Sequence, residues 1–499
     1  MQKKLRIAHI ASEVEPFSKS GGLANVMNAL PKAHADLGHD VLIITPFYEK
    51  AIDAKVHGIV PFGGTEFIEM TNENFQEVSY YKGMLGEVPV YFVANKNFFG
   101  TSNDLYGAEN ENARYMFFDV AALHLLKIID FKPDVINCHD WHTGLIPYFL
   151  KGRYKKDLFW EHTATLFTIH NLTYQFGHNW WDIPNEERDD GRTPLPKFDD
   201  TKIEDVNFAK RAIMNADAIN AVSETYREEI MTKDFGQELH RILKNREEIV
   251  FGIVNGIDYK EYNPLTDPGI QKHYSDKSVN LKKYNKKWLQ RRFKLEVDLD
   301  VPLLCMTSRL TEQKGFRLLI NIIKPLLNNG VQMIIMGDGD PVIVSFFQKL
   351  QKEYPKQFAI VPFDHETETS LYAGSDIFLL PSRFEPCGIN QMIALRYGCI
   401  PVVHHIGGLA DTIVDYDPKK RKGNGFTFIR YSASNLLIAT TRAIETFKHK
   451  RAWKDLMVSS LSEANSWIIP ALKYVDLYET TMSIKKKYER KKKREKTVS

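Results

Sequence analysis

Cysteine is scarce in this sequence, which has four in 499 residues and no cysteine pair at a metal-binding spacing. A small secreted domain held together by disulfides uses many more, so that class is excluded. We expect free, buried thiols in a reducing cytoplasm, at Cys138, Cys305, Cys387 and Cys399.

The sequence also lacks an uninterrupted apolar run of about 20 residues, the length that a helix needs to cross a bilayer. Its first apolar segment, near Leu5, is too short and too interrupted for a signal peptide, and we interpret it as the first β-strand. We therefore predict a cytoplasmic protein without a membrane span.

Positive charge is not spread along the chain. The net charge of +3 depends on Lys485–Lys496, where nine basic residues face two glutamates; without that +7, the rest of the chain carries −4. Because the rest of the chain has a net negative charge, we do not expect it to bind nucleic acid. Because like charges stay solvated, we expect residues 485–499 to form a basic, disordered tail.

Apolar strand-like segments alternate with helical patterns, which predicts parallel sheets wrapped by helices. At this length two α/β domains are expected, with a boundary near Asn255 in an Asn-Gly turn. The polar, lysine-rich segment Asp267–Lys294 is predicted to be a surface connection. The predicted strands are Leu5–Ile10, Asp40–Thr45, Val88–Val93, Asp134–Cys138, Thr165–Ile169 and Ala218–Val222, followed by Leu303–Thr307, Val331–Met336, Phe358–Val361, Ile377–Leu380 and Ile400–Val403.

The segment Pro381–Asp411 is the most informative. A loop carrying Glu385 follows an apolar strand, and a helix is predicted directly after it, over Ile389–Tyr397. Open α/β sheets bind ligands at the carboxyl ends of their strands, and a helix N-terminus can hold phosphate. Because Glu385 can accept hydrogen bonds from sugar hydroxyls, this combination indicates a nucleotide sugar.

Two further turns carry charge after a strand. Arg309 and Lys314 follow the first strand of the second half, where two fixed cations can neutralise a diphosphate without a metal. The first strand-to-helix turn lacks the GxGxxG and GxxxxGK[ST] spacings, but Lys19, Gly21 and Gly22 can bring backbone N–H groups and a charge to a phosphate. Solvated surface lysines and an ordinary glycine turn are the alternatives.

Histidines and acids also follow strands of the first half. Asp140 lies between His139 and Trp141, and His170 follows the next predicted strand. Such groups can bind metal, transfer protons or hold sugar hydroxyls, but a third zinc ligand at a recognisable spacing is missing. We interpret His139 and His142 as core histidines and His170 as the better functional candidate.

A formal Asp-x-Asp motif, Asp338-Gly339-Asp340, matches the metal-binding motif of some glycosyltransferases. Its two glycines and the following proline instead indicate a tight turn after a strand. We therefore predict no metal site.

With these motifs in place, the chain resembles the bacterial glycogen synthases and plant starch synthases over about residues 5–480. The resemblance implies an α/β GT-B fold, in which two Rossmann-like, doubly wound domains face a central cleft and a C-terminal helix crosses back to the first domain. The implied boundaries are 1–250, 256–465, 466–484 for that helix and 485–499 for the tail. The motifs are Lys19–Leu23, His139–His142, Thr168–Asn171, Asn255–Asp258, Ser308–Gly315 and Pro381–Gly388.

The resemblance also implies transfer of glucose from ADP-glucose to the non-reducing end of an α-1,4-glucan, with retention and without a cofactor. Arg309 and Lys314 would then stabilise the leaving diphosphate, and Glu385 would bind the glucose hydroxyls. The remaining implied site residues are Asp140 and His170, which face the glucose, the Cys387-Gly388 backbone beside the sugar, Lys19, Gly21 and Gly22 near the phosphates, and Asn255 and Asn390.

Three positions depart from the family pattern. Asn25 stands where the family usually has Asp, Phe363 where it often has Tyr, and Asn390 where it has Thr or Val. The first two bear on donor affinity and nucleobase choice, whereas a backbone N–H at 390 can replace a hydroxyl. Two alternatives follow: a retaining GT-B transferase that uses UDP-glucose or another nucleotide sugar, and a catalytically weak glucan-binding homologue.

Overall fold

A computed structural model describes residues 3–71 and 73–498 of the chain. These residues fall into two compact units, the first formed by Met1–Asn255 with Trp467–Ser499 and the second by Gly256–Ser466. Each unit is a sheet wrapped by helices.

The sheet of the first unit has nine strands in the order β3-β4-β5-β2-β1-β6-β7-β8-β9. All neighbours are parallel except β3–β4 and β4–β5, which are antiparallel. The strands are β1 (Arg6–Ile10), β2 (Asp40–Pro46), β3 (Val60–Thr71), β4 (Asn74–Leu85), β5 (Val88–Ala94), β6 (Val135–His139), β7 (Ala164–Ile169), β8 (Ala218–Ala221) and β9 (Val250–Gly252).

The β3–β4 hairpin and β9 are additions to the predicted strands. Many β3 side chains are exposed, among them Phe67, and so the hairpin lacks the continuous apolar run that marks the parallel strands. The helices of this unit are α1 (Gly22–Asp36), α2 (Lys96–Phe99), α3 (Glu111–Ile128), α4 (Leu145–Lys151), α5 (Phe208–Asn215), α6 (Glu224–Ile230), α7 (His240–Lys244) and α16 (Ile468–Val498).

Helix α16 comes last in the chain and packs on α1, β6 and β7 of the first unit. Two fully buried tyrosines attach it to the sheet. The Tyr478 hydroxyl accepts a hydrogen bond from Asn137 Nδ2 at 3.0 Å, and the Tyr474 hydroxyl accepts one from Asn220 Nδ2 at 2.9 Å. The C-terminal helix is thus an integral part of the first unit.

The structure differs from the sequence prediction at the basic tail, because α16 continues to Val498. Lysine and arginine are good helix formers, and the first turn of the basic run is attached to the body. Lys485 Nζ donates to the carbonyls of Trp160 at 3.2 Å and Thr163 at 2.6 Å, and burial lowers its pKa. Ser499 lies outside the described residues.

The second unit is a parallel sheet in the order β12-β11-β10-β13-β14-β15. The strands are β10 (Leu303–Thr307), β11 (Gln332–Met336), β12 (Phe358–Val361), β13 (Ile377–Leu380), β14 (Ile400–His404) and β15 (Phe426–Phe428). The helices are α8 (Lys282–Arg292), α9 (Phe316–Asn328), α10 (Pro341–Glu353), α11 (His365–Gly374), α12 (Asn390–Arg396), α13 (Gly407–Thr412), α14 (Ala433–Lys448) and α15 (Lys450–Leu461).

Helix α9 shows why these helices cover the sheet. Its buried residues Phe316, Leu319, Ile323 and Leu326 recur every three or four positions, which places them on one face of the helix. This face joins an apolar core with β10, β11 and β13.

Helix α8 corrects the prediction of a surface connection between residues 267 and 294. Lys282 is 4% exposed, and its ammonium donates to the carbonyls of Tyr372, Ala373 and Tyr397. Lys286 is also buried and forms an ion pair with Asp376, with Nζ and Oδ2 2.7 Å apart. Lysine-rich sequence is therefore internal here, because carbonyls and a carboxylate satisfy the charges.

No helix among residues 3–71 and 73–498 is long and apolar enough to cross a membrane. All four cysteines are free and buried. The closest approach is between the sulfurs of Cys305 and Cys399, which lie 3.9 Å apart.

Candidate functional site

Both sheets have a topological switch point, where the strand order reverses and ligands bind in open α/β sheets. In the first unit it lies between β1 and β6, and in the second between β10 and β13. The loops that leave these strands at their carboxyl ends carry most of the predicted site residues. We describe the two sets of loops in turn.

The loop after β1 is organised by Glu13, a residue that our sequence analysis did not select. Glu13 is 3% exposed, and its Oε2 accepts hydrogen bonds from the backbone N–H groups of Ser20 at 2.5 Å and Gly21 at 3.3 Å. Burial raises the pKa of this carboxyl, while those two bonds and Lys19 oppose the shift. Two of the N–H groups expected to face phosphate are therefore already occupied.

Gly22 begins α1 and remains open. A Cβ placed on Gly22 would meet nothing within 4 Å, so the space beside the first turn of the helix is available to a ligand. Lys19 reaches Glu15 instead, with Nζ and Oε1 2.9 Å apart. Asn25 donates from Nδ2 to the other oxygen of Glu15 at 2.6 Å, and so an amide shares this carboxylate with a lysine.

Asp140 follows β6 and adopts a left-handed backbone conformation with φ of 57°, which costs energy for a non-glycine residue. Its Oδ1 accepts hydrogen bonds from the backbone N–H groups of His170 at 2.7 Å and Asn171 at 3.3 Å. Burial raises the Asp140 pKa to about 7, against the effect of those two bonds. Since a trans peptide points its C=O opposite to its N–H, the His170 carbonyl is directed away from Asp140.

His170 follows β7 and contacts a second histidine. Its Nε2 lies 2.9 Å from Nδ1 of His139, which is fully buried at the end of β6. Burial lowers the His170 pKa to about 3, so the ring is neutral at physiological pH. The prediction of His139 and His142 as core residues agrees with their burial.

Glu385 lies in the loop after β13, where it is 8% exposed. Its Oε2 lies 2.6 Å from Nζ of Lys314, which follows β10, and it also accepts a hydrogen bond from Ser382 Oγ at 2.9 Å. The structure thus brings two of the sequence-predicted residues, 71 positions apart, into one ion pair. Ser382 is a further member that sequence analysis did not select.

Arg309 stands apart from this pair. Its side chain is exposed and has no hydrogen-bond or ion-pair partner among the residues that the structure describes. Gly315 explains how the loops after β10 and β13 come close, because it has φ of 80° and a Cβ there would lie 2.0 Å from the Pro381 carbonyl oxygen. Among the described residues, the long planar cation of Arg309 thus remains unpaired, on the same loop as Lys314 of the ion pair.

The backbone of Cys387 and Gly388 is packed tightly. A Cβ on Gly408, in the first turn of α13, would lie 2.1 Å from the Cys387 carbonyl oxygen, and Gly388 has φ of 71°. Asn390 begins α12, inside the helix predicted over Ile389–Tyr397, and donates from Nδ2 to the Thr307 carbonyl at 3.2 Å. The Asn390 side chain thereby links α12 to the end of β10.

The Asp-x-Asp motif has structural partners. Asp340 caps α10 by accepting the Val342 N–H, and Asp338 Oδ2 accepts the Phe363 N–H at 3.2 Å. Within the described part of the chain, no group of three or more His, Cys, Asp or Glu side chains could hold a metal ion. Asp338 therefore stabilises the local turn structure, and Asp340 caps a helix.

Two predicted positions remain, Phe363 and Asn255. Phe363 is half exposed after β12. Asn255 is buried, and its Oδ1 has no hydrogen-bond partner among the described residues. The structure alone gives neither residue a role.

Comparison with known proteins decides the family. Residues 6–245 match the family described as starch synthase catalytic domain, and residues 289–455 match the glycosyl transferases group 1. A glycogen synthase from Geotalea daltonii is 41% identical over 490 residues, which cover 96% of this chain and 100% of that protein. The chain belongs to the glycogen synthase family.

A glycogen synthase from Geotalea uraniireducens is 40% identical, with 96% of this chain and 100% of that protein covered. Among solved structures, the catalytic domain of starch synthase IV from Arabidopsis thaliana, bound to ADP and acarbose, matches with a TM-score of 0.86 at 30% identity; 96% of this chain and 100% of that one are covered. The predicted GT-B fold is confirmed, and the chain is a glycosyltransferase of the glycogen synthase type.

Proposed function

We propose that this chain transfers glucose from ADP-glucose to the non-reducing end of an α-1,4-glucan such as glycogen, with retention at the anomeric carbon. The observation that carries the proposal is the Lys314–Glu385 ion pair between the loops after β10 and β13, together with the exposed Arg309, which follows the same strand as Lys314 and is unpaired among the described residues. That set matches the charges of a donor made of a diphosphate and a sugar.

Arg309 and Lys314 would hold the diphosphate. Phosphate oxygens attract a planar guanidinium in a bidentate manner and an ammonium as a point charge, and charge develops on them as the sugar departs. Arg309 has no competing partner among the residues that the structure describes, and Lys314 already has its position set by Glu385. Two cations at this point can replace the divalent metal that other transferases use.

Glu385 would bind hydroxyl groups of the donor glucose. Only its Oε2 is used by Lys314 and Ser382, so Oε1 remains available as an acceptor. The tightly packed Cys387-Gly388 backbone would lie beside the sugar, with Asn390 beyond it. A carboxylate fixed by two donors loses little entropy when it accepts a hydroxyl.

Asp140 and His170 would contact the glucose. Asp140 binds both peptide N–H groups that flank His170, and this fixes the direction of the His170 carbonyl. A fixed carbonyl oxygen can stabilise an oxocarbenium-like transition state. No protein nucleophile is needed if the acceptor attacks on the same face that the diphosphate leaves.

The loop after β1 would contribute Gly22 and Lys19 to the nucleotide phosphates, and Asn255 would belong to the substrate-binding set. The open space beside Gly22 supports the first assignment. Since Ser20 and Gly21 donate to Glu13, the phosphate contact would fall on Gly22 rather than on the whole loop. Four free thiols and the absence of a spanning helix among the described residues support a cytoplasmic location.

The experiment compares donors. Purified protein is given glycogen with ADP-glucose, UDP-glucose or GDP-glucose, and both nucleotide release and incorporation of labelled glucose are measured, with and without EDTA. We expect the highest kcat/KM with ADP-glucose, dependence on glycogen, and full activity in EDTA. A clear UDP-glucose preference would establish the first alternative, and glycogen binding without transfer would establish the second. Loss of activity in EDTA with rescue by Mn²⁺ would overturn the roles of Arg309 and Lys314.

A further inference from the structure

Four histidines of the first unit lie in one row, and the proposed reaction uses only the first of them. This histidine relay consists of His170, His139, His9 and His34. From His170, whose Nε2 lies 2.9 Å from Nδ1 of His139, the row continues to His9, whose Nδ1 lies 3.1 Å from Nε2 of His139. Nε2 of His9 then lies 3.2 Å from Nδ1 of His34. Every contact thus joins Nε2 of one ring to Nδ1 of the next.

The relay is buried and uncharged. His9, His34 and His139 are fully buried, and burial lowers the pKa of every member, to about 3 for His9. The ring centroids are 5.2, 5.4 and 5.4 Å apart along the row, and because the bonded nitrogens lie between them at 2.9, 3.1 and 3.2 Å, the rings meet at their edges as N–H···N bonds require. The ring nitrogens pair with one another and do not converge on a common point, so the four histidines do not form a metal site.

Counting protons leaves the relay two states. A neutral imidazole carries one N–H, and each contact needs one donor and one acceptor. If His170 carries its proton on Nε2, it donates to His139, which must then carry its own proton on Nε2, and the same holds as far as His34. If His170 carries it on Nδ1, every ring must do so. When the Nε2–H state changes to the Nδ1–H state, the relay therefore takes up a proton at His170 Nδ1 and releases one at His34 Nε2.

The surroundings of His34 favour the state in which every ring carries its proton on Nε2. His34 lies on α1 beneath Tyr474 and Tyr478 of α16, and the backbone carbonyl of Ala471 favours a proton on this ring. Nε2 of His34, the ring nitrogen that His9 does not use, makes no hydrogen bond of ordinary length among the described residues. A buried N–H near a carbonyl is more stable than a lone pair there.

The other end of the relay opens toward the proposed substrate. His170 is partly exposed, and its Nδ1 has no hydrogen-bond partner among the described residues. In the state with every proton on Nε2, this nitrogen is an acceptor.

We propose that His139, His9 and His34 are positioning residues that hold His170 in the Nε2–H tautomer, so that its Nδ1 accepts a hydrogen bond from a sugar hydroxyl. The three contacts require the four rings to share one tautomer, the Ala471 carbonyl beside His34 selects Nε2–H, and the meaning of this tautomer for the reaction rests on the proposed function. His170 is the residue that touches substrate. The other three act through it, and α16 biases the far end.

The first test needs no mutation. Protein labelled with ¹⁵N-histidine is studied by NMR at neutral pH, where the two ring nitrogens report which one is protonated. We expect His170, His139, His9 and His34 all to show the Nε2–H pattern. Different tautomers among the four rings, or a ring that carries a proton on both nitrogens, would contradict the proposal.

The second test breaks the relay at its far end. His34→Leu removes the acceptor of His9 Nε2–H and leaves that N–H facing a side chain without polar atoms, far from the Ala471 carbonyl that acts on His34, so the remaining rings should change to Nδ1–H. His34→Asn keeps a carbonyl oxygen in place, so His170 should keep Nε2–H. His39→Asn is the matched control, because His39 packs against His34 but lies outside the relay. An unchanged His170 tautomer in folded His34→Leu would overturn the proposal, and so would an equal change in His39→Asn.

Activity separates this inference from the proposed function. If both hold, His34→Leu should lower kcat/KM for the donor about three- to tenfold, the value of one hydrogen bond, while His34→Asn stays near wild type. A purely structural role would lower the melting temperature of His34→Leu and leave the His170 tautomer unchanged. If the wild-type protein transfers no glucose but shows the uniform tautomer, the relay stands and the proposed function fails.

Discussion

The loops at the two switch points arrange charge in opposite ways. In the first unit, the Glu13 and Asp140 carboxyl groups are buried and have raised pKa values, and His170 is neutral. In the second unit, Arg309 is exposed and has no charged partner in the described part of the chain, while Lys314 and Glu385 form an ion pair. One set is held by hydrogen bonds to backbone N–H groups, and the other is held by charge.

This difference follows the chemistry of a nucleotide sugar. Sugar hydroxyls need fixed donors and acceptors, and a charge used for this purpose in a dry site must itself be paired, as Glu385 is with Lys314. A departing diphosphate needs cations that are ready before the reaction starts. The same doubly wound topology therefore supports two kinds of site, depending on which residues follow the strands.

The largest expected effect comes from removing the carboxylate of the charged site. Glu385→Ala should lower kcat about a hundredfold or more, because a carboxylate bound to sugar hydroxyls contributes roughly 3–5 kcal/mol to transition-state binding. Initial rates of nucleotide release measure this, and circular dichroism checks the fold. Glu353→Ala is the control, since Glu353 pairs with Lys324 on the surface. Activity of Glu385→Ala within a few-fold of wild type would remove Glu385 from the site.

Next in size is the loss of the free cation. Arg309→Ala should lower kcat/KM for the donor about ten- to a hundredfold, the value of a charge-assisted hydrogen bond of roughly 1.5–3 kcal/mol. Its melting temperature should not change, because Arg309 has no partner among the described residues. Arg317→Ala, with a side chain 69% exposed on α9, is the control. A fall in stability with unchanged kinetics would make Arg309 a structural residue.

The raised pKa of Asp140 should make the stability of the protein depend on pH. Asp140 has a folded pKa of about 7, above the usual value of 3.8, so its contribution to the free energy of unfolding decreases as pH rises from about 4 to about 7. Asp140→Asn retains an oxygen for the His170 and Asn171 N–H groups but cannot ionise. Its stability relative to wild type should therefore increase over that range. Denaturant unfolding of both proteins at pH 5 and pH 8 measures the difference, and an equal difference at the two pH values would contradict the raised pKa.

The smallest expected effect lies outside both switch points. Asp340→Ala should cost about 1 kcal/mol, the usual value of a helix N-cap, and leave kcat unchanged. Thermal unfolding and donor kinetics measure the two quantities. Asp340→Asn should restore the stability, because an amide oxygen also caps. A large loss of kcat in Asp340→Ala would extend the charged site to the Asp-x-Asp turn.

Local pattern was sufficient for the framework of both sheets. The parallel strands are continuous apolar runs because both of their faces are buried, and such runs can be read without knowing their neighbours. The charged site was also predictable, since Arg309, Lys314 and Glu385 each follow such a strand, and the carboxyl ends of parallel strands meet at one edge.

Local pattern failed where burial depends on a distant partner. The lysines of α8 resemble surface residues until the carbonyls of Tyr372 and Tyr397 are brought to them. The basic run after Ile484 resembles a free tail until Lys485 meets the carbonyls beside Trp160.

The sequence by itself therefore determined the two α/β units, the family and the residues that carry charge. Only the tertiary structure decided which polar groups are buried and have shifted pKa values: Glu13 folded back on its own loop, Asp140 bound to the N–H groups of His170 and Asn171, and the histidine relay. His9 and His139 lie 130 positions apart and become neighbours because β1 and β6 are adjacent strands. The physical reason is that periodicity is a local property of the chain, whereas desolvation and hydrogen-bond pairing are properties of what the fold places side by side.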